Sequence, residues 1–192
     1  MRTLRPRLVL LATLACVVGC DYFQPRTPEE GDSGSAWVTP LIPGQIVQNL
    51  RSAIELENFA DYQRVFTEDF TFTPDPTDVA TLAVERPGES VFDGWTVDVE
   101  STVMEQVVSA ADSVRVDLTL FEEQPSGSTT LVKYTYALRV FLNAAVTEYQ
   151  GEAWFSVRQT GNGEWYVYGW QDVVTTDTVQ SWGLLKGRTR SL

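Results

Sequence analysis

Few residues in this sequence could do chemistry, because its 192 residues include no histidine. The commonest general base near neutral pH and the commonest metal ligand are therefore missing, which excludes Ser-His-Asp and Cys-His catalysis and ordinary zinc sites. The run Asp75-Pro76-Thr77-Asp78 could offer oxygen atoms to calcium, yet it lacks the spacing of an EF-hand loop. We interpret it as a solvated turn and predict no metal and no cofactor.

Aromatic residues are the second set that could form a site. The sequence has six Trp and seven Tyr, and ligand pockets are mostly apolar and aromatic with a few polar groups. The same bulky side chains could instead fill a core, and both interpretations stay open for Tyr134, Tyr136, Trp165 and Trp170. Trp154 shares its strand parity with polar neighbours, so we expect it to face outward as a candidate partner surface.

The charge balance restricts the partners. The chain has 14 Lys and Arg against 26 Asp and Glu, a formal net charge of −12. Nucleic-acid binders need clustered basic residues that release phosphate counterions, so we exclude nucleic acid as a partner. We expect the basic residues Lys186, Arg188 and Arg190 to form a solvated C-terminal tail, with contact to anionic lipid or to an acidic partner as the alternative.

The first twenty residues predict an export signal. Arginines at positions 2, 5 and 7 precede the uncharged stretch 8–19, which is too short to cross a bilayer because a transmembrane helix needs about 20 residues. The stretch ends in Val17-Val18-Gly19-Cys20, which resembles the bacterial lipobox, so we expect lipid on Cys20. The alternatives are cleavage before Cys16 and an ordinary secretory peptide in which Cys20 is incidental.

A lipid on Cys20 would hold the protein at the cell envelope, facing the periplasm, without a transmembrane helix. Asp21 resembles the signal that retains such proteins at the inner membrane, and so favours that membrane slightly. Residues 1–19 are then the signal peptide, 20–44 the lipidated Cys and a Pro/Gly-rich tether, and 45–192 a single α+β domain with a short basic tail. We expect Trp37, Leu41 and Ile42 to mark where the tether meets the domain.

Apolar residues at helical spacing predict three helices in the first half of the domain. The first helix carries its apolar stripe on residues 46–54, the second begins after the capping residue Asn58, and the third covers about 97–108 after Thr96. Between the second and third helices, Phe70 and Phe72 alternate in a short strand or extended segment that stops at Pro74.

The second half of the domain changes to the alternation of strands. Strands are predicted at 114–120, about 129–143, about 149–158 and 165–171, with turns at Pro125-Ser126-Gly127 and Gly161-Asn162-Gly163. The even positions from Val132 to Leu142 point inward. The predicted fold is α+β, with N-terminal helices packed in a curved antiparallel sheet of about four long strands.

The order of these elements and several motifs resemble the nuclear transport factor 2-like superfamily, the cone-shaped fold of ketosteroid isomerase and polyketide cyclases. The resemblance covers roughly residues 45–175. Its segments are the helix pair 46–66, Asp69-Phe70-Thr71-Phe72-Thr73-Pro74, Trp95-Thr96 and Gly163-Glu164-Trp165-Tyr166-Val167-Tyr168-Gly169-Trp170-Gln171-Asp172. The closing Ser181-Trp182-Gly183-Leu184-Leu185-Lys186 looks like the tail of bacterial lipoproteins built on this fold.

The resemblance implies a test for catalysis, because isomerase and cyclase members use a carboxylate base with a Tyr or a second acid in an apolar pocket. The predicted inward faces of the first three strands contain no Asp or Glu. Acids would have to come from element ends, where we interpret Asp98 and Glu100 as first-turn helix acids, Asp69 and Asp75 as turn residues, and Asp172 as exposed or capping. We therefore predict no catalytic residue.

The sequence thus predicts a membrane-anchored envelope lipoprotein with a non-catalytic role. That role is protein interaction, with an envelope protein or a second copy, or the binding of a small apolar ligand. The alternative is an isomerase- or cyclase-like enzyme acting on a small hydrophobic substrate in the cone pocket. A sealed core would argue against both ligand binding and catalysis, whereas a deep cavity with a buried acid of raised pKa would favour the enzyme.

Overall fold

A computed structural model describes residues 36–176 and 178–190. The predicted signal peptide, with Cys16, lies outside the described residues, as does most of the tether, with Cys20 and Asp21. The described residues form these elements in chain order: α1 (Pro43–Glu55), α2 (Phe59–Arg64), β1 (Phe66–Thr73), α3 (Pro76–Glu85), α4 (Val97–Ser109), β2 (Ser113–Ser126), β3 (Thr129–Leu142), β4 (Ala145–Gln159), β5 (Trp165–Val173) and α5 (Trp182–Thr189).

The strands form one sheet in the order β1-β5-β4-β3-β2. β2 to β5 are antiparallel neighbours, whereas β1 pairs with β5 in parallel, with Phe72 opposite Trp170. The expected antiparallel sheet of four strands is therefore corrected to a mixed sheet of five among the described residues. The fifth strand is the segment with Phe70 and Phe72, whose buried rings hold it against the core beside β5.

Strand parity places the two faces of the sheet as the alternation predicts in the middle of the strands, whereas Leu142, predicted to point inward, is exposed at the end of β3. On β3, Val132, Tyr134, Tyr136 and Leu138 are buried, and on β4 Ala153, Phe155 and Val157 are buried. These side chains join the apolar stripes of α1 and α4 in one core. The opposite face of the sheet carries mostly polar side chains, so alternating residues of one strand meet different environments.

The three predicted helices are present as α1, α2 and α4. The Asn58 side chain accepts a hydrogen bond from the Asp61 N–H at 3.0 Å and caps α2, and Thr96 is the N-cap of α4. Trp37 packs against the core as expected, whereas Leu41 and Ile42 are exposed. Among the described helices, none is long and apolar enough to span a membrane.

Two helices were not predicted. The interpretation of Asp75-Pro76-Thr77-Asp78 as a solvated turn is wrong, because this run begins α3: Asp75 accepts from the Thr77 N–H at 2.8 Å, Pro76 opens the helix, and Asp78 is buried. Aspartate at the cap and proline in the first turn are favourable for a helix start. The same residue types favour turns, which explains the error.

The prediction of a solvated C-terminal tail is also wrong for Lys186 and its neighbours. Residues 182–189 form α5, and Ser181 caps it by accepting from the Leu184 N–H at 2.8 Å. Lys186 is completely buried, while the exposed Arg188 pairs with Glu85 at 2.6 Å. α5 therefore packs its lysine into the domain and leaves only one edge to solvent.

Candidate functional site

The main candidate site is a cluster of four buried charged side chains: Asp78, Glu100, Asp172 and Lys186, each at most 3% exposed. They come from α3, α4, β5 and α5, so residues distant in sequence meet inside the fold. Buried ions are costly unless they are paired and hydrogen-bonded. Each of these four side chains therefore requires a partner inside the core.

Lys186 occupies a cage of carboxylate and aromatic rings. Its Nζ lies 2.7 Å from Glu100 Oε1, an ion pair by distance in which Nζ is not aligned as a hydrogen bond requires. The same Nζ lies 3.1 Å from the ring centroid of Trp170, 4.2 Å from Phe72 and 5.5 Å from Trp182. Cation–π attraction is strongest when the cation is desolvated, as here.

Burial lowers the pKa of Lys186, because removing the ammonium from water disfavours its charged form. The negative charges of Glu100 and Asp172 act in the opposite direction. The pKa therefore falls despite the neighbouring acids, and the cage both attracts the cation and keeps water from it.

Two donors fix Glu100. The Tyr62 hydroxyl donates to Oε1 at 2.6 Å and the Trp95 indole N–H donates to Oε2 at 2.8 Å. Burial, followed by the charge of Glu100, raises the pKa of Tyr62 well above its ordinary value, so the phenol stays a donor. The carboxylate is thus held by α2 and by the loop before α4 independently of α5.

Asp172 holds the first turn of α5. Its Oδ2 accepts from the Gly183 N–H at 2.7 Å, and the neighbouring Trp182 N–H donates to the Tyr136 hydroxyl at 2.7 Å. Burial raises the pKa of Asp172 to about 7, although the Gly183 N–H, the Lys186 ammonium and the Tyr136 hydroxyl all lower it. A Cβ at position 183 would lie 2.7 Å from this oxygen, so only glycine fits.

Asp78 also holds the N-terminus of α5. Its Oδ2 accepts from the Ser181 hydroxyl at 2.6 Å, and that hydroxyl in turn caps α5. Burial raises the pKa of Asp78, and the charge of Asp75 adds to the effect. Three buried side chains, Asp78, Tyr136 and Asp172, therefore anchor the N-terminus of α5, where a helix presents unsatisfied N–H groups.

The four residues predicted for a pocket all lie in the one apolar core or pack against it. Tyr136 and Trp170 contact residues of α5, whereas Tyr134 packs edge-on against Phe155 with centroids 6.2 Å apart. The half-buried Trp165 donates its backbone N–H to the Pro40 carbonyl. A pocket role for them stays a prediction.

Trp154 lies half-buried on the opposite face of the sheet from the core, as its parity predicts. Lys133 Nζ stands 4.4 Å above its ring centroid, and its indole N–H donates to Glu152 at 2.8 Å. Its role as a partner surface also stays a prediction.

The predicted roles of the acids are corrected in part. Asp172 is buried instead of exposed, and Glu100 lies in the first turn of α4 but points into the core. Asp69 is on β1 and pairs with Arg158 at 2.5 Å on the surface, while Asp98 is an exposed first-turn acid as expected. Strand parity could not find Asp78 and Glu100, because both come from helices. Asp172 shares the parity of the buried Trp170, so extending the alternation of β5 past Gln171 would have placed it inward.

The sequence contained one signal for the cluster. Trp182 and Lys186 are four residues apart, as are Gly183 and Gly187, which places each pair on one helical face. Small residues at that spacing allow close packing, and a Cβ at Gly187 would meet Leu82 and Phe92. The spacing was outweighed by the charge pattern, because a basic terminus in an acidic chain favours the prediction of a solvated tail.

The cavities described lie around the cluster and not within it. One of about 280 Å³ is bordered by Asp78, Ser181 and Leu184, and another of about 240 Å³ by Asp98, Val103 and Arg190. Neither is lined by Lys186 or Trp170. Within the described residues, no group of three or more His, Cys, Asp or Glu side chains is arranged to hold a metal ion.

Solved structures resemble this domain at low sequence identity. A conserved protein from Planctomyces limnophilus is 15% identical, with a TM-score of 0.54 over 67% of this chain and 89% of its own. From Novosphingobium aromaticivorans, a scytalone dehydratase-like protein is 9% identical (TM-score 0.52, 73% and 90% covered), and an aromatic ring hydroxylase-like protein is 14% identical (0.53, 69% and 86%). These likenesses show a shared fold.

That fold is an α+β cone of the nuclear transport factor 2-like type, with helices inside a curved open sheet. No family model matches the sequence, and no curated protein matches it closely enough to count as a relative. Since one fold supports many functions, the likeness assigns no chemistry to the cluster.

Proposed function

We propose that this protein is an envelope lipoprotein, anchored by lipid on Cys20, whose domain has a non-catalytic role in protein interaction. The observation that carries the proposal is the filling of the cone interior by the chain itself. Trp170, Trp182 and Lys186 are each at most 1% exposed, where a small substrate or apolar ligand would otherwise lie. As long as α5 is docked and the interior is occupied, recognition falls to the surface.

Trp154 is the surface residue that best fits such recognition. It lies on the sheet face away from the core, and Lys133 Nζ stands 4.4 Å above its ring centroid. A half-buried tryptophan of this kind is a frequent anchor of interfaces. The partner is an envelope protein or a second copy of this chain, and Asp21 favours the inner membrane.

The experiment is affinity purification of the full-length protein from its own membrane in mild detergent, followed by native mass spectrometry. We expect an acylated Cys20 and a bound protein, and we expect Trp154→Ala to weaken that binding without lowering the melting temperature. The control is Phe121→Ala, which removes another exposed ring from edge strand β2. Unchanged co-purification with Trp154→Ala would rule out this surface as the interface. An unmodified Cys20 would rule out the lipid anchor.

A second candidate is an isomerase- or cyclase-like enzyme or a binder of small apolar ligands. It is favoured by one observation: Asp172, whose pKa is raised to about 7, lies beside the Tyr136 hydroxyl. A base of that pKa beside a phenol suits enolisation chemistry, provided that α5 moves away. Hydrophobic ketones that raise the melting temperature of the wild type and not of Asp172→Asn would support it over the first proposal.

A further inference from the structure

The cage around Lys186 is a cation-binding site that the chain fills with its own side chain. We propose that the cone interior binds a linear primary alkylammonium ligand, and that such a ligand displaces Lys186 together with α5. This inference is independent of the lipid anchor and of Trp154. It concerns the described core alone.

The walls of the site belong to other elements than its occupant. Phe72 is on β1, Trp170 on β5 and Glu100 on α4, whereas Lys186 and Trp182 are on α5. Phe72 and Trp170 contact each other edge to face, with centroids 5.8 Å apart, and Trp95 packs 5.3 Å from Phe72. The cage would therefore keep two of its three rings and its carboxylate when α5 leaves.

The carboxylate of Glu100 is preorganised to bind a cation. Its donors, Tyr62 and Trp95, lie outside α5, so the carboxylate keeps its position and both hydrogen bonds without Lys186. A preorganised acceptor reduces the ordering cost of binding. The short distance from Nζ to Oε1, 2.7 Å, suits an ammonium with N–H groups and excludes a fully methylated nitrogen.

Charge determines the class of ligand. Lys186 is the one basic residue among the buried residues described, and it faces Glu100 and Asp172. If a neutral ligand replaced α5, the negative charge of the buried acids would have no compensating cation, which is strongly unfavourable. A flexible alkyl chain ending in an ammonium reproduces the lysine stem between the rings and restores the charge.

α5 is an element that can leave without breaking the sheet. It has eight residues, two of them glycine, and it follows the last strand. Helices shorter than about 12 residues are marginal alone, and each glycine costs about 1 kcal/mol of helix stability. Its helical state therefore depends on docking, so undocking and local unfolding of α5 are one event.

The first test uses the full-length wild type and hydrogen exchange, with n-butylammonium as the probe because it matches the lysine side chain. We expect amide exchange in residues 183–190 to accelerate about tenfold, while β3 and β4 are unchanged. Sodium chloride at equal ionic strength and 1-butanol are the controls, and neither should accelerate exchange. Titration to about 100 mM is needed, because the tethered lysine competes at a millimolar effective concentration.

The second test empties the cage by Lys186→Ala. We expect n-butylammonium to bind this variant saturably by calorimetry and to raise its melting temperature, and 1-butanol to do neither. Adding Glu100→Gln should abolish the binding. The matched control is Lys186→Met, which keeps an apolar stem of similar length in the cage and should not bind the amine.

The wild-type experiment decides the inference even if Lys186→Ala does not fold. Unchanged α5 exchange across the whole titration would overturn it and leave Lys186 as a structural ion pair only. Acceleration by butanol as well as by the amine would also overturn it, because the site would then select an apolar chain and not a cation.

Discussion

Lys186 Nζ lies 2.7 Å from Glu100 Oε1, and both side chains are completely buried. The two residues come from α5 and α4, so the pair joins the C-terminal helix to the core. Bringing two ions out of water costs several kcal/mol each, and the mutual attraction offsets this only with good additional contacts. Here the hydrogen bonds from Tyr62 and Trp95 and the rings around Nζ supply them.

The first prediction concerns the energy of this pair. Lys186→Met and Glu100→Gln should each lower the free energy of unfolding by about 3–5 kcal/mol, because each leaves one buried charge unpaired. The double variant should lose less than the sum of the two single losses. Urea unfolding at pH 7 measures all four corners of this cycle.

The surface pair Asp69–Arg158 is the control for this cycle. Its oxygen–nitrogen distance of 2.5 Å is as short, yet Asp69 is exposed and on the surface of β1. Asp69→Asn should leave the stability within experimental error, because exposed ion pairs contribute little. Additive losses for Lys186→Met and Glu100→Gln would show that the buried pair is not coupled.

The alternation and helical spacing of apolar residues are sufficient to predict those helices and strands that bury one apolar face. The period of two on β3 placed Tyr134 and Tyr136 inward, and the stripe from Ile46 to Ile54 placed α1 on the core. These patterns follow from local geometry, in which one face of an element meets the core. They needed no knowledge of which elements become neighbours.

The charged cluster could not be predicted in this way, because its burial depends on contacts between distant elements. Asp78 and Ser181 are 103 residues apart, and Tyr62 and Glu100 are 38 apart. Read singly, each acid is a reasonable turn or cap residue, and Lys186 a reasonable tail residue. Only the docking of α5 brings Lys186 to Glu100 and gives Asp78 its buried partner Ser181.

The second prediction concerns the pH dependence of stability. The pKa of Asp172 is raised to about 7 in the fold from an ordinary 3.8. Between these values the unfolded chain has lost the proton that the folded state still holds, so the stability contributed by protonated Asp172 falls as pH rises. The loss amounts to roughly 4 kcal/mol between about pH 4 and pH 7.

Asp172→Asn should remove the pH-dependent part of the stability that Asp172 contributes. The difference in unfolding free energy between wild type and variant, measured by urea titration at several pH values, should therefore change steadily from pH 4 to pH 7 and then level off. The difference is the right quantity, because exposed acids with lowered pKa, such as Glu85, contribute the opposite slope in both proteins. A difference independent of pH would mean that Asp172 ionises normally.

The third prediction tests how closely α5 packs. A Cβ on Gly187 would overlap Leu82 Cδ1 and lie 2.9 Å from Phe92 Cζ, and Leu82 is buried with little room to move. Gly187→Ala should therefore destabilise the domain by about 1–3 kcal/mol, although alanine is the better helix former. Hydrogen exchange should show that the loss falls first on the amides of α5.

Gly44→Ala is the matched control, because it places the same methyl group on a helix where there is space for it. A Cβ at Gly44 would have the Tyr134 hydroxyl as its nearest contact, at 3.7 Å, an ordinary van der Waals distance. This variant should be neutral or slightly stabilising, since alanine loses less backbone entropy than glycine. If Gly187→Ala behaved in the same way, α5 would pack more loosely than its glycines indicate, and the tight closure of the cage by this helix would have to be abandoned.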